Sequence, residues 1–209
     1  RDRTGMIGAE VKAVSGGVQI ARIIPNSPAD RERSKLEVGE IIRAVNGQPV
    51  SNNTSYYELL SGTADERTLL SVTSADGSSR EVVIRPKNSL RTELYEAWVA
   101  ERKRLTEEYS GGRLGYIHIQ GMNWPSFERF ERELTASGLG KDGIVIDVRF
   151  NGGGWTTDML MTVLNVRQHA YTVPRGAEQK LEGNHPKYAN HYPYGERLPQ
   201  AALTKPRIA

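Results

Sequence analysis

The pattern of apolar and polar positions divides the chain into a β-rich first part and a second part of alternating strands and helices. Up to residue 86, short runs alternate apolar and polar residues, as strands with one buried face do. Asn46-Gly47 and Asp76-Gly77 lie between such runs and are typical of hairpin turns. The pattern predicts strands over 7–14, 18–24, 41–45, 68–73 and 80–84, and short helices near 28–36 and 54–60, the second capped by Asn53 or Thr54.

From residue 90 the apolar spacing becomes helical. A helix is predicted over 90–109, with Leu94, Trp98, Leu105 and Tyr109 on one face. The order of elements beyond it indicates parallel strands joined by right-handed crossovers, followed by a loop-like segment after Tyr171. The predicted elements are strands over 114–119 and 144–148, helices over 124–134 and 156–166, and the start of another strand over 204–209.

The second of these strands ends at Asn151 and three glycines. The unbroken apolar run over 144–148 suits a strand buried on both faces. Glycine reaches positive φ easily, and backbone N–H groups beside a helix N-terminus favour a phosphate or an oxyanion. On these residues alone, a simple tight turn is an equally good interpretation. Ligands of parallel sheets bind at the carboxyl ends of strands, however, which favours a functional site here.

Composition narrows the possible partners. The net charge is only +3, and basic residues are interspersed with acidic ones, so nucleic acid is not an expected partner. The absence of cysteine excludes disulfides, thiol nucleophiles and thiolate metal sites. No apolar run approaches the roughly 18 residues of a membrane span. His185 and His191 lack accompanying ligands at metal spacing, so a solvent-facing or partner-facing loop is expected rather than a metal site.

A nucleotide site at the glycine turn would need a phosphate-binding motif. Neither Gly-x-Gly-x-x-Gly nor Gly-x-x-x-x-Gly-Lys-Ser/Thr occurs at this turn, and no acid suited to a ribose follows it about 20 residues on. Nucleotide binding is therefore set aside. The chain starts without methionine and ends abruptly, so a fragment is expected.

Three stretches stand out in the β-rich part: 23–29 (IIPNSPA), 36–42 (LEVGEII) and 45–50 (VNGQPV). Through them most of the first 86 residues resemble a PDZ domain. The resemblance implies a groove between the first strand and the helix at 54–60, which takes an extended peptide as an added strand. Gly5, Met6, Ile7 and Gly8 would then receive a terminal carboxylate on their backbone N–H groups. Alternatively, the glycines only shape a turn and the groove is filled by the chain's own neighbours.

Three further stretches stand out in the remainder of the chain: 112–119 (GRLGYIHI), 146–154 (IDVRFNGGG) and 174–176 (PRG). Through them this part resembles the catalytic domain of tricorn-type serine peptidases, within the tail-specific peptidase family. The resemblance implies an α+β and α/β chain with three parts: a β-rich PDZ domain at 1–86, a helical linker at 87–112, and a partial βαβ, crotonase-like catalytic domain at 113–209.

By this resemblance Gly153 gives its backbone N–H to the oxyanion, while its neighbours Gly152 and Gly154 shape the turn. Asp147 and Arg149 are expected to be structural. In the family a serine, a histidine and a glutamate form an acyl-enzyme, and the serine follows a strand that would begin here near Ile208. The histidine precedes the PDZ domain and the glutamate lies further downstream, so no histidine or serine of this chain is nominated and the fragment alone is expected to be inactive.

The residue after Tyr171 differs from that of the peptidase after which the family is named. That peptidase has an acidic residue directly after the corresponding tyrosine. This chain has Thr172 there, a candidate for the substrate pocket, and a neutral hydroxyl cannot form an ion pair with a basic substrate side chain. The resemblance implies a peptide or unfolded-protein substrate, no cofactor, a parent that self-associates, and a cytoplasmic location with export as the alternative. The rival hypothesis is a non-catalytic protein that only binds peptides through its PDZ groove.

Overall fold

The structure, a computed structural model, describes residues 3–51, 54–165, 170–172 and 196–198. The chain separates into two compact units, Arg1–Ala100 and Glu101–Ala209, and each is described by itself. The first unit is built on an antiparallel sheet and the second on a parallel β–α arrangement. The predicted fold class, a β-rich part followed by a βα part, is confirmed.

A six-stranded antiparallel sheet forms the first unit, with strand order β1-β2-β3-β5-β6 and β4 paired to β3. Each predicted strand of this part is found within two residues of its expected ends, because the alternating pattern identifies one buried face per strand. β4 has only two residues and gave no alternating pattern. The strands are β1 (Ala9–Val14), β2 (Gly17–Ile23), β3 (Ile41–Val45), β4 (Gln48–Pro49), β5 (Thr68–Thr73) and β6 (Ser79–Ile84).

One apolar core lies against this sheet, and it includes the fully buried side chains of Ile20, Ile42 and Leu70. The Glu40 carboxylate is also buried, at 4% exposure. Its oxygens accept hydrogen bonds from the Arg80 guanidinium at 2.9 and 3.0 Å and from Ser74 Oγ at 3.1 Å. A buried charge satisfied in this way does not oppose folding of the unit.

The helices of the first unit are shorter than predicted. Two 3₁₀ turns, Pro28–Asp30 and Glu32–Ser34, replace the single helix expected near 28–36. Helix α1 spans only Tyr56–Leu59 and is capped by Ser55, whose Oγ accepts a hydrogen bond from the Tyr57 N–H. Capping by Asn53 or Thr54 was therefore a wrong prediction, since the capping residue is Ser55, one position after Thr54, and the helix begins at Tyr56.

Helix α2, Arg91–Tyr109, confirms the predicted long helix but not its predicted apolar face. Leu94 is 46% exposed and Tyr109 is 82% exposed. The less exposed face is rotated and includes the buried Val99. The buried Glu93 carboxylate on this helix forms an ion pair with Lys87. An ion pair as well as apolar contacts therefore determines which face of α2 is buried.

Two parallel strands form the centre of the second unit: β7 (Leu114–His118) and β8 (Gly143–Asp147). Helix α3, Trp124–Gly138, packs on them through a second core that contains Phe127, Phe130 and Leu134. Helix α4, Thr157–Asn165, follows β8 and adds Leu160 to that core. The predicted parallel pairing is confirmed. Two further strands, β9 (Ala170–Thr172) and β10 (Glu196–Leu198), pair antiparallel, and β10 lies within the segment after Tyr171 that was predicted to be loop.

β8 is not buried on both faces, which corrects the interpretation of its apolar run. Ile144 and Ile146 pack against the second core, whereas Val145 is 40% exposed and Val148, just beyond the strand, is 50% exposed. Among the described strands β8 pairs only with β7, and α3 contacts one face of the pair.

Candidate functional site

The glycine turn lies at the carboxyl end of β8 and leads into α4. Phe150 has a positive φ of 64° and is 89% exposed. Positive φ in a bulky aromatic residue is a strained conformation, and such strain is concentrated at functional sites. Gly153 has a φ of 81°, which glycine adopts without strain. The positive φ values of Phe150 and Gly153 turn the backbone away from the strand.

The Asn151 side chain stabilises this turn through two hydrogen bonds. Its Nδ2 donates a hydrogen bond of 2.9 Å to the Ile119 carbonyl at the end of β7. Its Oδ1 accepts a hydrogen bond of 2.8 Å from the Gly153 N–H, in a solvent-exposed position. The Gly153 N–H therefore lies outside the sheet ladder and has a neutral side-chain oxygen as its partner.

Gly154 allows the turn to approach a neighbouring loop closely. A Cβ at this position would lie 2.4 Å from the Met122 carbonyl oxygen, and φ is 152°. Any side chain at this position would therefore push the two segments apart. The Thr157 Oγ1 donates a hydrogen bond of 2.9 Å to the Gly154 carbonyl at the start of α4. Only glycine permits this close approach of the turn to the loop that leads into α3.

A charged network supports the strand just before the turn. Asp147, buried at 9% exposure, accepts hydrogen bonds from the Arg149 guanidinium and from the Tyr116 hydroxyl, the latter at 2.7 Å. The Arg149 guanidinium holds the pKa of the Asp147 carboxyl well below its usual range. Burial, and then the bond to Asp147, raises the pKa of the Tyr116 hydroxyl. Asp147 and Arg149 thus pair, as expected of structural residues.

His118 contributes a further contact to the same place. Its ring is 4% exposed, and Nε2 lies 2.9 Å from the Arg149 carbonyl oxygen. It is the one histidine among the described residues, and its Nε2 is engaged with backbone rather than with a nucleophile. A cavity of about 550 Å³ lies beside the network, lined by Tyr116, Asp147 and Arg149 and by Leu105 and Tyr109 of α2.

In the first unit, the loop Gly5–Gly8 precedes β1, an edge strand that pairs only with β2 among the described strands. The Gly5 N–H donates to the Leu60 carbonyl at the end of α1, at 2.8 Å, and the Met6 N–H donates to the Lys87 carbonyl, at 2.7 Å. In the part of the chain that the structure describes, no partner is found for the N–H groups of Ile7 and Gly8. Two of the four nominated N–H groups are thus engaged within the domain and two are not.

The first side chains along β1 and those of α1 enclose a common apolar region. Ala9 and Val11 pack against the same core as Tyr56, Leu59 and Leu60. Ile7 of the loop belongs to this core at 2% exposure. Gly8 has a φ of 88°, and a Cβ there would lie 2.1 Å from Ser27 Cβ, so the loop conformation depends on glycine.

The remaining predicted site features are less fully described. Thr172 is the last residue of β9, paired with Glu196 of β10. His185, His191 and the predicted strand at 204–209 lie outside the described residues. Within the described ranges, no group of three or more His, Asp and Glu side chains could hold a metal ion, and no helix there is long and apolar enough to cross a bilayer.

Sequence reasoning missed the residues that bind the turn to its surroundings. Asn151 was part of the quoted motif, but its two hydrogen bonds were not foreseen. Parallel pairing places Tyr116 beside Val145 and His118 beside Asp147, so Tyr116 and Asp147 are diagonal neighbours on one face of the strand pair. Their contact could have been inferred from this register. No local signal indicated the ring contact between Trp124 and Trp155.

Comparison with known families gives matches in both units. Residues 5–89 match the tricorn protease PDZ domain, and residues 113–207 match peptidase family S41. Among curated relatives, tricorn protease homolog 1 of Streptomyces coelicolor is 35% identical over 184 residues, which cover 83% of this chain and 17% of the relative. Tricorn protease of Thermoplasma volcanium is 29% identical over 181 residues, which cover 83% of this chain and 18% of the relative.

A crystal structure of tricorn protease has the same fold over nearly the whole chain. Its TM-score is 0.78 at 24% identity, and the match covers 99% of this chain and 19% of that protein. The chain therefore spans less than a fifth of the length of the relatives it matches.

The Asp147 network makes a prediction for the pH dependence of stability. Because the folded pKa of Asp147 is lowered, its contribution is complete above the unfolded pKa of about 3.9 and is lost as pH falls through the folded value. We expect Asp147→Asn to lower the free energy of unfolding by about 1–3 kcal/mol at pH 7. The deficit should be constant between about pH 5 and 8 and should shrink below about pH 4.

Urea unfolding of this chain from pH 3 to 8 measures the deficit. Glu108→Gln is the control, since Glu108 pairs with Arg104 where both side chains are more than half exposed, and its effect should stay below about 0.5 kcal/mol. A deficit for Asp147→Asn that is the same at pH 3 and pH 7 would contradict the assignment.

Proposed function

The chain belongs to the tricorn-type serine peptidases, and from that premise we propose that it contributes a peptide-binding groove and one oxyanion donor to a peptide-hydrolysing enzyme. The proposed domains are a PDZ domain at 1–86, a helical linker at 87–112 and part of the catalytic domain at 113–209. The single observation that carries the catalytic part is the Gly153 N–H, which lies outside the sheet at the carboxyl end of β8.

Peptide hydrolysis by an acyl-enzyme needs N–H donors aimed at the carbonyl oxygen that becomes negatively charged. Gly153 fits this requirement in three respects. Its backbone is exposed, no atom lies within 4 Å of where a Cβ would be, and the start of α4 follows closely, where the helix dipole favours negative charge. The space beside the Gly153 Cα is therefore open to an approaching substrate carbonyl.

The Asn151 amide oxygen occupies the Gly153 N–H in the absence of substrate. A developing oxyanion is the stronger acceptor, because charge-assisted hydrogen bonds are roughly twice as strong as neutral ones. Exchange of the neutral oxygen for the charged one stabilises the transition state more than the bound substrate, and this difference is what raises kcat. Asn151 keeps its second bond, to the Ile119 carbonyl, so the turn stays anchored during the exchange.

The PDZ groove would bind the carboxyl end of a peptide. The N–H groups of Ile7 and Gly8 are oriented by a loop that is tied to α1 through Gly5 and to residue 87 through Met6. These two N–H groups would receive the carboxylate, and the peptide would add to the open edge of β1. Gly5 and Met6 then act by fixing the loop, because their own N–H groups are already bonded within the domain.

Several further proposals rest on the family resemblance alone. The nucleophilic serine and its histidine are outside these 209 residues, and Thr172 lines a substrate pocket without preference for basic side chains. The substrates are peptides or unfolded proteins. The full-length protein self-associates and acts in the cytoplasm, which size-exclusion chromatography and cell fractionation would test.

A serine-reactive phosphonate tests the peptidase proposal. We expect it to label the full-length gene product at one serine outside the present sequence, and to leave this 209-residue chain unlabelled, because the nucleophile and its base act together. Mass spectrometry of the labelled peptide identifies the site. A full-length protein that binds peptides but neither hydrolyses them nor reacts with the probe would be a non-catalytic PDZ protein.

Gly153→Val in the full-length protein tests the oxyanion donor. Valine at positive φ is strongly disfavoured, so the turn must change and the N–H must move. Loss of one donor should lower kcat by about 10²- to 10³-fold with little change in KM. Gly140→Val is the matched control, since Gly140 also has a positive φ, of 71°, and open space but lies outside the turn, and its kcat should stay within about threefold. Equal kcat values for the two variants would exclude Gly153 as the donor.

Fluorescence anisotropy on this chain tests the PDZ groove. A peptide with a free carboxylate should bind at least about tenfold more tightly than the same peptide with a C-terminal amide, because the charged bonds are lost in the amide. Gly8→Ala should remove this binding, since its Cβ clashes with Ser27. Gly39→Ala, which also has positive φ but open space, is the control. Free acid and amide binding equally well would contradict a carboxylate site.

A further inference from the structure

Two exposed tryptophans form a stacked pair beside the glycine turn. Trp155 directly follows Gly154, and Trp124 is the first residue of α3. Their ring centroids are 6.5 Å apart and their planes differ by 5°. Trp155 is 68% exposed and Trp124 is 47% exposed, so the pair presents an indole surface to solvent.

The pair is held in place by contacts on its buried side. Trp124 packs on Phe127, which is 5% exposed, with ring centroids 5.5 Å apart. Phe127 in turn packs on Phe130 in the core of the unit. The close approach of Gly154 to the Met122 carbonyl holds the two segments that carry the tryptophans together. The rings therefore form an ordered surface, which lowers the entropic cost of binding a partner.

The tryptophan pair lies close to the proposed position of the scissile bond. Consecutive Cα atoms are about 3.8 Å apart, so the Trp155 Cα lies within roughly 7.6 Å of the Gly153 Cα. Residues of an extended peptide are spaced by about 3.3 Å, with side chains on alternate sides. A substrate with its reacting carbonyl at the Gly153 N–H thus has the side chain of a flanking residue within reach of the indoles.

The two segments that carry the tryptophans have no charged side chain. Neither 119–126 nor 150–157 contains one, and the charged residues nearest to them along the chain are Glu128, Arg149 and Asp158. A basic or acidic substrate side chain would find no opposite charge on these two segments, whereas an aromatic side chain would gain a further ring contact and buried area. Exposed tryptophans of this kind are typical of recognition surfaces.

We propose that Trp124 and Trp155 form a substrate subsite for a large apolar side chain, aromatic above all, in a residue that flanks the scissile bond. This inference rests on the proposed peptidase function and on the Gly153 donor. It assigns specificity to residues that take no part in bond making. Binding of the substrate side chain covers part of the indole surface that is otherwise in water.

The test compares peptides that differ only at the residues flanking the cleaved bond. The full-length protein should hydrolyse a phenylalanine peptide with a kcat/KM about tenfold above that of its glutamate or lysine counterpart, at one of the two positions. Trp155→Ala should reduce this ratio to about twofold or less, while kcat/KM for an alanine peptide stays within about threefold. Trp155→Phe should keep most of the preference, because it keeps an aromatic ring.

Leu139→Ala is the control, since Leu139 follows the far end of α3 and is 80% exposed. It should leave the phenylalanine preference unchanged. Trp155→Leu, which keeps apolar volume without a ring, serves where Trp155→Ala does not fold, and it should lower the preference for phenylalanine over leucine. Circular dichroism and the melting temperature identify any variant that fails to fold.

The two levels of the proposal fail differently. A full-length protein that neither hydrolyses peptides nor reacts with the phosphonate would overturn the peptidase function and, with it, the subsite. An active enzyme in which folded Trp155→Ala keeps the full phenylalanine preference would overturn the subsite alone. An active wild type that prefers lysine, with the preference lost in Trp155→Ala, would instead assign the pair to a cation–π contact and overturn the apolar assignment.

Discussion

The proposed active site depends on one carboxamide, that of Asn151, which ties the turn between β8 and α4 to the end of β7 and also bonds within the turn. Its Nδ2 is bonded to the carbonyl at the end of β7, and its Oδ1 is bonded to the Gly153 N–H. The same side chain therefore determines where the turn lies and where its N–H points. Three successive glycines cost substantial conformational entropy to order, and the two hydrogen bonds of Asn151 offset part of that cost.

Contacts on two sides of this carboxamide order the turn. Asp147 and Arg149 pair under the turn, and the Tyr116 hydroxyl closes the network. On the other side Gly154 approaches a neighbouring backbone so closely that no side chain fits, and the stacked tryptophans are brought together there. A site intended for transition-state charge must be ordered before the reaction, since reorganisation during the reaction would cost free energy.

Both proposed sites recognise peptides through backbone N–H groups rather than through charged side chains. In the first unit these are the N–H groups of Ile7 and Gly8, and in the second it is that of Gly153. Every peptide has carbonyl oxygens and a terminal carboxylate, whatever its sequence, so backbone donors suit an enzyme that accepts varied substrates. Selectivity then comes from apolar surfaces beside the donors, such as the indole pair.

Local pattern was sufficient for most of the longer elements and for the position of the glycine turn. Strands β3 and β5 were predicted at their observed ends, because burial of alternate residues is a property of the strand itself. The glycine turn and its place after a parallel strand were likewise determined by sequence. What only the tertiary structure decided are contacts between distant residues, such as Asn151 with Ile119 and Trp124 with Trp155, and the half exposure of β8. These depend on how elements some 30 residues apart pack together, and the pattern along one element carries no information about its neighbours.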